Sequence, residues 1–299
     1  MPVAVVALTL ALLVQDPPVV IDDVFVEGRR DAARAYVAAT VRPRRAGQVV
    51  EQIARWETPV CVRVIGPRRN AAARMEADIR AVMDRLDVPV AGARCVPNAV
   101  VAVTDQPAAF AGKVIARHRM RLFANSTPEL AVFGRPAGAV RWHHRVSAAG
   151  GVVQGVAGVA QGMLNTSVGG QGGGGGGRSL MDSGLPMIRM PNARLDFSTS
   201  AGIDRAIVVI DTAASAAVPR EALIDYLAYV VATGPVQDGT PPPPGILSLF
   251  DDAGVADDAA TLTPADEAFV RALYASDAYK PAAMQGTEIV NRMNASPTP

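Results

Sequence analysis

The chain has 299 residues, of which 49% are hydrophobic and 19% are charged, a composition sufficient for a packed core and typical of a globular protein. The formal net charge of +1 hides an uneven distribution: about 21 Lys and Arg face about nine Asp and Glu between residues 29 and 145, and acids are in excess from residue 211 onward. The basic residues are scattered singly without interleaved aromatic side chains, which argues against a nucleic-acid partner and favours a solvated arginine-rich surface.

A short apolar run lies at the start of the sequence. Residues 3–14 are almost entirely Val, Ala and Leu, and the run is too short to span a bilayer as an ordinary helix. It matches the hydrophobic region of a secretory signal, although no Lys or Arg precedes it, and the alternative is a buried strand or helix. We therefore expect residues 1–18 to be a signal peptide or apolar leader, and the protein to be periplasmic or secreted.

Two short helices are predicted after the leader, at residues 28–42 and 46–56. The first carries apolar residues on one side and ends at Pro43, because proline cannot continue a helix.

The two cysteines of the chain lie at either end of a strand–helix–strand pattern. Cys61 is in a predicted strand, Cys95 leads into a second strand, and residues 70–86 between them have helical apolar spacing. Two strands joined by a crossover helix belong to one sheet, which brings the cysteines within bridging range. Export favours a Cys61–Cys95 disulfide, and two buried free thiols are the alternative. Without a nearby histidine, the pair does not form a zinc site.

The next predicted elements are a helix at residues 107–123 and a strand at residues 139–146. The strand contains His143 and His144, which are adjacent and therefore face opposite sides of the sheet. Because they cannot easily bind one ion and His118 lies on another element, the sequence predicts no metal site and no cofactor.

Glycine and other small residues dominate residues 148–191, including an unbroken glycine run at residues 172–177. The run fits the spacing of a phosphate-binding loop, but no apolar strand precedes it and no helix follows. Ordering such a tract costs too much backbone entropy, so it is interpreted as a disordered insertion within one domain formed by residues 19–147 and 192–293. The alternative is a linker between two domains.

The last part of the sequence predicts a strand at residues 205–211, a helix from residue 218, a proline-rich loop at residues 238–245 and a final helix. Thr263, Pro264 and Asp266 mark the start of that helix, because they supply a capping hydroxyl, a proline at the first position and an acid at the third. Residues 294–299 are expected to be a disordered tail.

Three polar residues form a stripe on the helix from residue 218. Glu221, Asp225 and Tyr229 are spaced at i, i+4 and i+8, beside an apolar face of Leu223, Leu227 and Val230. Two carboxylates one turn apart can perform acid–base chemistry in a cleft, whereas exposed acids on an amphipathic helix are far commoner. The weak catalytic candidates are therefore Glu221, Asp225, Tyr229 and His143.

Several short segments carry a resemblance to a known family. They comprise residues 55–64, 95–98, 140–143, 204–211, 225–228, 246–250, 262–266 and 273–274. With them, the chain resembles an uncharacterised family of exported alphaproteobacterial proteins that have a degenerate zincin-like domain. The resemblance implies an α+β fold in which helices pack on a mixed sheet, and it covers most of the chain outside the leader and the glycine-rich insertion.

The resemblance also implies that the peptidase chemistry of zincins is lost. On a zincin active helix, Ile224 and Ala228 fall where the two histidine ligands would be, and Asp225 falls where the general-base glutamate would be. Because neither replacement can bind zinc, the metal-dependent mechanism does not carry over to this chain.

We therefore expect a pseudoenzyme, an exported non-catalytic scaffold that binds a peptide, a protein or a cell-envelope component. The alternative is a hydrolase with an unrecognised site near Asp225. A deep polar cleft at that carboxylate would favour the hydrolase, whereas a filled apolar groove or open solvent would favour the scaffold. Neither nucleic acid binding nor a transmembrane span is expected, and the oligomeric state stays open.

Overall fold

The computed structural model describes residues 22–45, 51–123, 127–135, 138–149, 199–237, 243–250 and 261–295. Within them the chain is an α+β protein with a mixed five-stranded sheet, a separate two-stranded sheet and seven α-helices. The helices are α1 (Asp22–Thr40), α2 (Arg69–Arg85), α3 (Pro107–Phe123), α4 (Thr127–Phe133), α5 (Arg220–Thr233), α6 (Pro264–Ala275) and α7 (Ala282–Ala295). A short 3-10 helix at Ile246–Phe250 lies between α5 and α6.

The strand β7 is the centre of the larger sheet. It pairs with β6 in antiparallel fashion along one edge, and with β3 and β5 in parallel along the other, where β4 follows β5. The strands are β1 (Arg44–Arg45), β2 (Glu51–Gln52), β3 (Arg55–Trp56), β4 (Val62–Ile65), β5 (Ala99–Thr104), β6 (Val140–Ala149) and β7 (Ser200–Asp211). A β-bulge interrupts the β6–β7 register between Arg145 and Val146. Because helices cover both faces of β7, the residues of this strand from Ala206 to Ile210 are all apolar and buried.

Helices cover the sheet in layers. On one face, α3 and α4 pack over Ile207 and Val209, and on the other α2 and α5 pack over Val208 and Ile210. Helices α1, α6 and α7 form a further layer beyond α5, with α7 packed against both α1 and α6. Helix α5 therefore lies in the middle of the molecule.

Several elements differ from the sequence prediction, beginning with the first helix, which was predicted at residues 28–42 and is Asp22–Thr40. The helix predicted at residues 46–56 is wrong where it is described, since residues 51–52 and 55–56 are the strands β2 and β3. The helix that begins at Thr263 is followed by another, α7, which the sequence did not predict. Helix α7 runs to Ala295, two residues into the predicted disordered tail, and residues 296–299 lie outside the described part of the chain.

The strand–helix–strand prediction around the cysteines is confirmed. Strands β4 and β5 are parallel neighbours joined by α2, and Cys61 and Cys95 form a disulfide with Cα atoms 5.9 Å apart. The predicted capping of α6 is also confirmed, because Thr263 and Asp266 form a reciprocal capping box.

The predicted leader and most of the glycine-rich insertion lie outside the described residues, apart from Ala148 and Ala149 at the end of β6. Among the helices that the structure describes, none combines the length and the apolar character needed to cross a membrane.

Candidate functional site

Helix α5, which carries the predicted stripe, is buried almost all round. Every residue from Ile224 to Thr233 is buried, and only its first turn reaches the surface. The helix ends at Gly234, whose positive φ of 55° is the left-handed conformation common at helix ends. The amphipathic interpretation of this helix is therefore wrong, because α1 and α6 cover the side that the stripe was expected to expose.

The three residues of the stripe are in three different environments. Glu221 is exposed, Asp225 is buried at the edge of the core, and Tyr229 is completely buried. The helical spacing is as predicted, but the side chains do not face one common cleft.

Asp225 is held by neighbouring elements. Its Oδ2 accepts a hydrogen bond from the backbone N–H of Leu262 at 3.2 Å, and its Oδ1 lies 3.6 Å from a guanidinium nitrogen of Arg85. Burial raises the pKa of Asp225, and the Leu262 hydrogen bond and the Arg85 charge oppose that increase. A raised pKa suits an acid or base, but these contacts are also those of a carboxylate that ties α5 to α2 and α6.

Tyr229 belongs to a buried network centred on Asp266. The Tyr229 hydroxyl lies 2.8 Å from the hydroxyl of Tyr36, which donates a hydrogen bond to Asp266 Oδ1 at 2.5 Å. Asp266 Oδ2 accepts three more hydrogen bonds, from the N–H of Ile246 and from the N–H and hydroxyl of Thr263. Burial raises the pKa of both tyrosines, so both hydroxyls stay protonated.

The Asp266 network is closely packed and has no space for a substrate. A Cβ atom at Gly245 would lie 2.6 Å from Asp266 Oδ1, and Gly245 has a φ of 149°, so the chain needs glycine there. The network therefore acts as a junction between α1, α5, α6 and the segment before Ile246.

The two positions that the resemblance would align with zincin ligands, Ile224 and Ala228, lie in the core. Ile224 is 4% exposed and Ala228 is completely buried, and both belong to the main hydrophobic core. Within the ranges that the structure describes, no group of three His, Cys, Asp or Glu side chains is arranged to hold a metal ion.

The structure separates His143 from the other catalytic candidates. His143 is paired with Ile207 in the β6–β7 ladder and faces α3 and α4, where its Nε2 lies 2.7 Å from the Leu122 carbonyl oxygen. Asp225 lies on the opposite side of the sheet, so the two side chains cannot act on one substrate.

His144 faces α5 and is a buried neutral histidine. Its Nε2 lies 3.3 Å from the Val231 carbonyl oxygen, and Gly234 packs against the ring, where an added Cβ would lie 3.0 Å from the His144 Cγ. Burial, together with the charges of His143 and Arg44, lowers the pKa of His144 to about 3.

This low pKa predicts a specific acid sensitivity. Because the folded pKa of about 3 is below the ordinary value of about 6.5, the neutral ring stabilises the fold above pH 6.5, and this contribution is lost as the pH falls toward 3. From pH 6.5 to about 4.5 we expect the loss to be about 2–3 kcal/mol.

Urea unfolding of the wild type and of His144→Gln at both pH values measures this loss. The variant keeps every other titrating group, so the difference between the two pH dependences isolates the histidine. Equal pH dependence in the two proteins would contradict the assignment.

A large open groove lies on the far side of α5 from the sheet. It has a volume of about 1180 Å³ and runs between α1 and α6, with Met293 of α7 beside it and the ring of Tyr36 contributing to its wall. Its lining is mainly alanine and proline: Ala32, Ala33, Ala35, Ala39, Pro243, Pro244, Pro264, Ala265 and Ala268. Leu262 also lines it, and the N–H of that residue binds Asp225, so the groove passes close to the candidate carboxylate.

Comparisons of this chain with models of protein families, with curated proteins and with solved structures give no match.

Sequence reasoning missed the groove because its two walls are far apart in the chain. The sequence does contain a row of alanines on α1, at positions 32, 35 and 39, and the groove is lined by them together with the core residues Ala33 and Tyr36. Spacing alone cannot tell a small-residue surface that is covered from one that stays open.

Proposed function

We propose that this chain is an exported, non-catalytic protein on a zincin-like scaffold that binds an apolar peptide segment of a partner protein in the groove between α1 and α6. The observation that carries the proposal is the groove itself, which is lined mainly by apolar residues, with Arg29, Glu267 and Arg271 also in its wall, and is larger than the usual range of small-molecule pockets, about 300–1,000 Å³. A groove between two helices suits a peptide segment that lies along them.

The environment of α5 supports the non-catalytic part of the proposal. In zincins this helix presents its ligands to a cleft, whereas here the equivalent positions, Ile224 and Ala228, pack into the core. Asp225, which the resemblance would align with the general base, accepts a hydrogen bond from the Leu262 N–H and lies beside Arg85. Both of its carboxylate oxygens are therefore occupied by contacts within the fold. The strand β7 leading into a central helix supports the zincin-like part, which the resemblance implies.

The disulfide supports export. Cytosolic thiols are kept reduced in most organisms, so a Cys61–Cys95 bridge is compatible with the periplasm or the extracellular space.

Filling the groove tests the function directly. Peptides selected from a displayed random library against the wild-type chain should bind with micromolar affinity and lose about tenfold or more on Ala35→Trp, because the indole fills the groove. Ala35 is exposed, so the fold tolerates the substitution. Fluorescence anisotropy of the labelled peptides measures the affinity.

Ala77→Trp, at an exposed position on α2 outside the groove, is the matched control and should leave peptide binding unchanged. If no peptide is enriched, or if both tryptophan variants bind equally well, the groove is not the binding site and the proposal fails.

The hydrolase alternative receives support from the raised pKa of Asp225, to which burial and the nearby carboxylates Glu267 and Glu221 contribute, but among the described residues the hydrogen bond from Leu262 and the charge of Arg85 already hold that carboxylate. We therefore do not propose it.

A further inference from the structure

Helix α3 differs from the other described helices in its charges. It contains Lys113, Arg117, His118, Arg119 and Arg121 and no acidic residue. By contrast, α2 mixes its arginines with Glu76, Asp78 and Asp84. Among the helices that the structure describes, α3 therefore has the most uniformly positive charge.

Three cations of α3 are exposed and have no ion pair among the described residues. Lys113, Arg117 and Arg119 are all exposed, and none of them takes part in a salt bridge among the described residues. Arginines of α1, α6 and α7 are paired within their own helices: Arg34 with Asp31, Arg271 with Glu267 and Arg292 with Glu288. Among the described side chains, therefore, no acidic neighbour forms an ion pair with Lys113, Arg117 or Arg119.

Neighbouring elements extend the positive surface. Arg205 of β7 is exposed and lies on the same side of the sheet as Ile207, which α3 covers, and Arg135 is exposed just after α4. On this side Asp204 is 3.4 Å from Arg145, so its charge is compensated. The local excess of positive charge is therefore larger than α3 alone supplies.

The residues between these cations define how close a partner can come. Ala109, Gly112 and Ala116 are exposed beside Lys113 and Arg117 and leave no bulky side chain in the way. The apolar side of α3, at Ala111 and Val114, packs on the sheet and cannot insert into a bilayer. This geometry suits a flat, negatively charged surface that is contacted without insertion.

We propose that the outer side of α3, with Lys113, Arg117 and Arg119, binds the anionic phospholipid headgroups of a membrane surface. The proposal rests on the proposed function, because it specifies the envelope component that an exported protein would meet. Phe110, the aromatic residue of α3 whose side chain the structure describes, is half-buried and packs against the core, which disfavours stacking on the bases of a single-stranded nucleic acid. The groove lies beyond the sheet and α5, so a protein that is attached by α3 presents its groove away from the membrane.

Sedimentation of the full chain with lipid vesicles tests the proposal. The chain should bind vesicles with about 30% phosphatidylglycerol at least tenfold more tightly than pure phosphatidylcholine vesicles. Raising the salt from about 50 mM to about 500 mM should abolish the difference, because screening removes the attraction. The triple variant Lys113→Glu, Arg117→Glu, Arg119→Glu should weaken binding to the anionic vesicles by about 100-fold.

The matched control reverses three exposed arginines on the other side of the molecule, Arg68→Glu, Arg69→Glu and Arg74→Glu, and changes the net charge equally. It should weaken binding less than about threefold. An equal loss of vesicle affinity in both triple variants would show that only the net charge matters. Equal binding of the wild type to anionic and to pure phosphatidylcholine vesicles would show that the chain attaches through another surface. Either result overturns the proposal. The proposal also fails if the chain binds a single-stranded oligonucleotide more tightly than the anionic vesicles and the α3 triple variant loses that oligonucleotide binding.

The α3 variant should still bind the peptides selected for the groove with unchanged affinity. Failure of vesicle binding alone would therefore reject the membrane surface without rejecting the groove, whereas loss of peptide binding on Ala35→Trp alone would support the groove only.

Discussion

Replacing both Cys61 and Cys95 by alanine is expected to lower the free energy of unfolding by about 3–4 kcal/mol. The bridge closes a loop between residues 34 positions apart, and most of its effect comes from restricting the unfolded chain. The folded state should change little, because the same corner is held by other contacts. The side chain of Asn98 bonds the Cys61 N–H at 2.7 Å and the Pro59 carbonyl at 3.1 Å.

Urea unfolding with and without a reductant measures this effect. Reduced wild type should match the double variant, and the reductant should not change the stability of the variant. A loss below about 1 kcal/mol would mean that the unfolded chain is already restricted in this region.

Replacing Asp266 by alanine should lower the free energy of unfolding by about 3–5 kcal/mol. The substitution leaves the N–H groups of Ile246 and Thr263 and the hydroxyl of Tyr36 without their acceptor, and the carboxylate is only 1% exposed. It also removes the capping box of α6. Tyr36→Phe removes one of these hydrogen bonds and should cost about 1.5–3 kcal/mol.

The control is Asp31→Ala, which breaks the ion pair with Arg34 at 2.9 Å on the exposed side of α1. Such a pair contributes less than about 1 kcal/mol, so urea unfolding should separate the two aspartates clearly. If both substitutions cost the same, the buried network does not hold α1 and α6 together.

Local patterns predicted the elements whose determinants are close in sequence. The helix at residues 107–123 has the predicted bounds, and the capping residues Thr263 and Asp266 are where the sequence placed them. The disulfide was predicted because one crossover unit contains both cysteines and their strands.

The errors arise where distant contacts decide the structure. Residues 51–56 form strands because β2 pairs with β1 and β3 pairs with β7, and no helical spacing rule contains that information. Helix α7 was missed because Gly286 and Asn291 weaken its helical signal, whereas packing of Ile289 and Val290 in the core stabilises it.

The stripe of Glu221, Asp225 and Tyr229 also shows that local spacing does not reveal contacts with residues far away in the sequence. The spacing of Glu221, Asp225 and Tyr229 was right, yet the partner of Tyr229 is Tyr36, which is 193 residues away. A helical wheel gives the direction of a side chain but not the helix that will cover it. The proposed groove and the positive surface of α3 both became visible only when distant elements were placed side by side.

Ala149 and Ser200 are paired in the β6–β7 ladder, and this pairing determines how the fold responds to a change in the length of the chain between them. The end of β6 and the start of β7 are direct neighbours in the ladder, so the intervening chain leaves and returns at one point of the sheet. Closing a loop grows costlier only slowly with its length, by about 0.6 kcal/mol for each doubling. A change in the number of residues between Ala149 and Ser200 should therefore alter the free energy of unfolding only slightly, provided that β6 and β7 still pair.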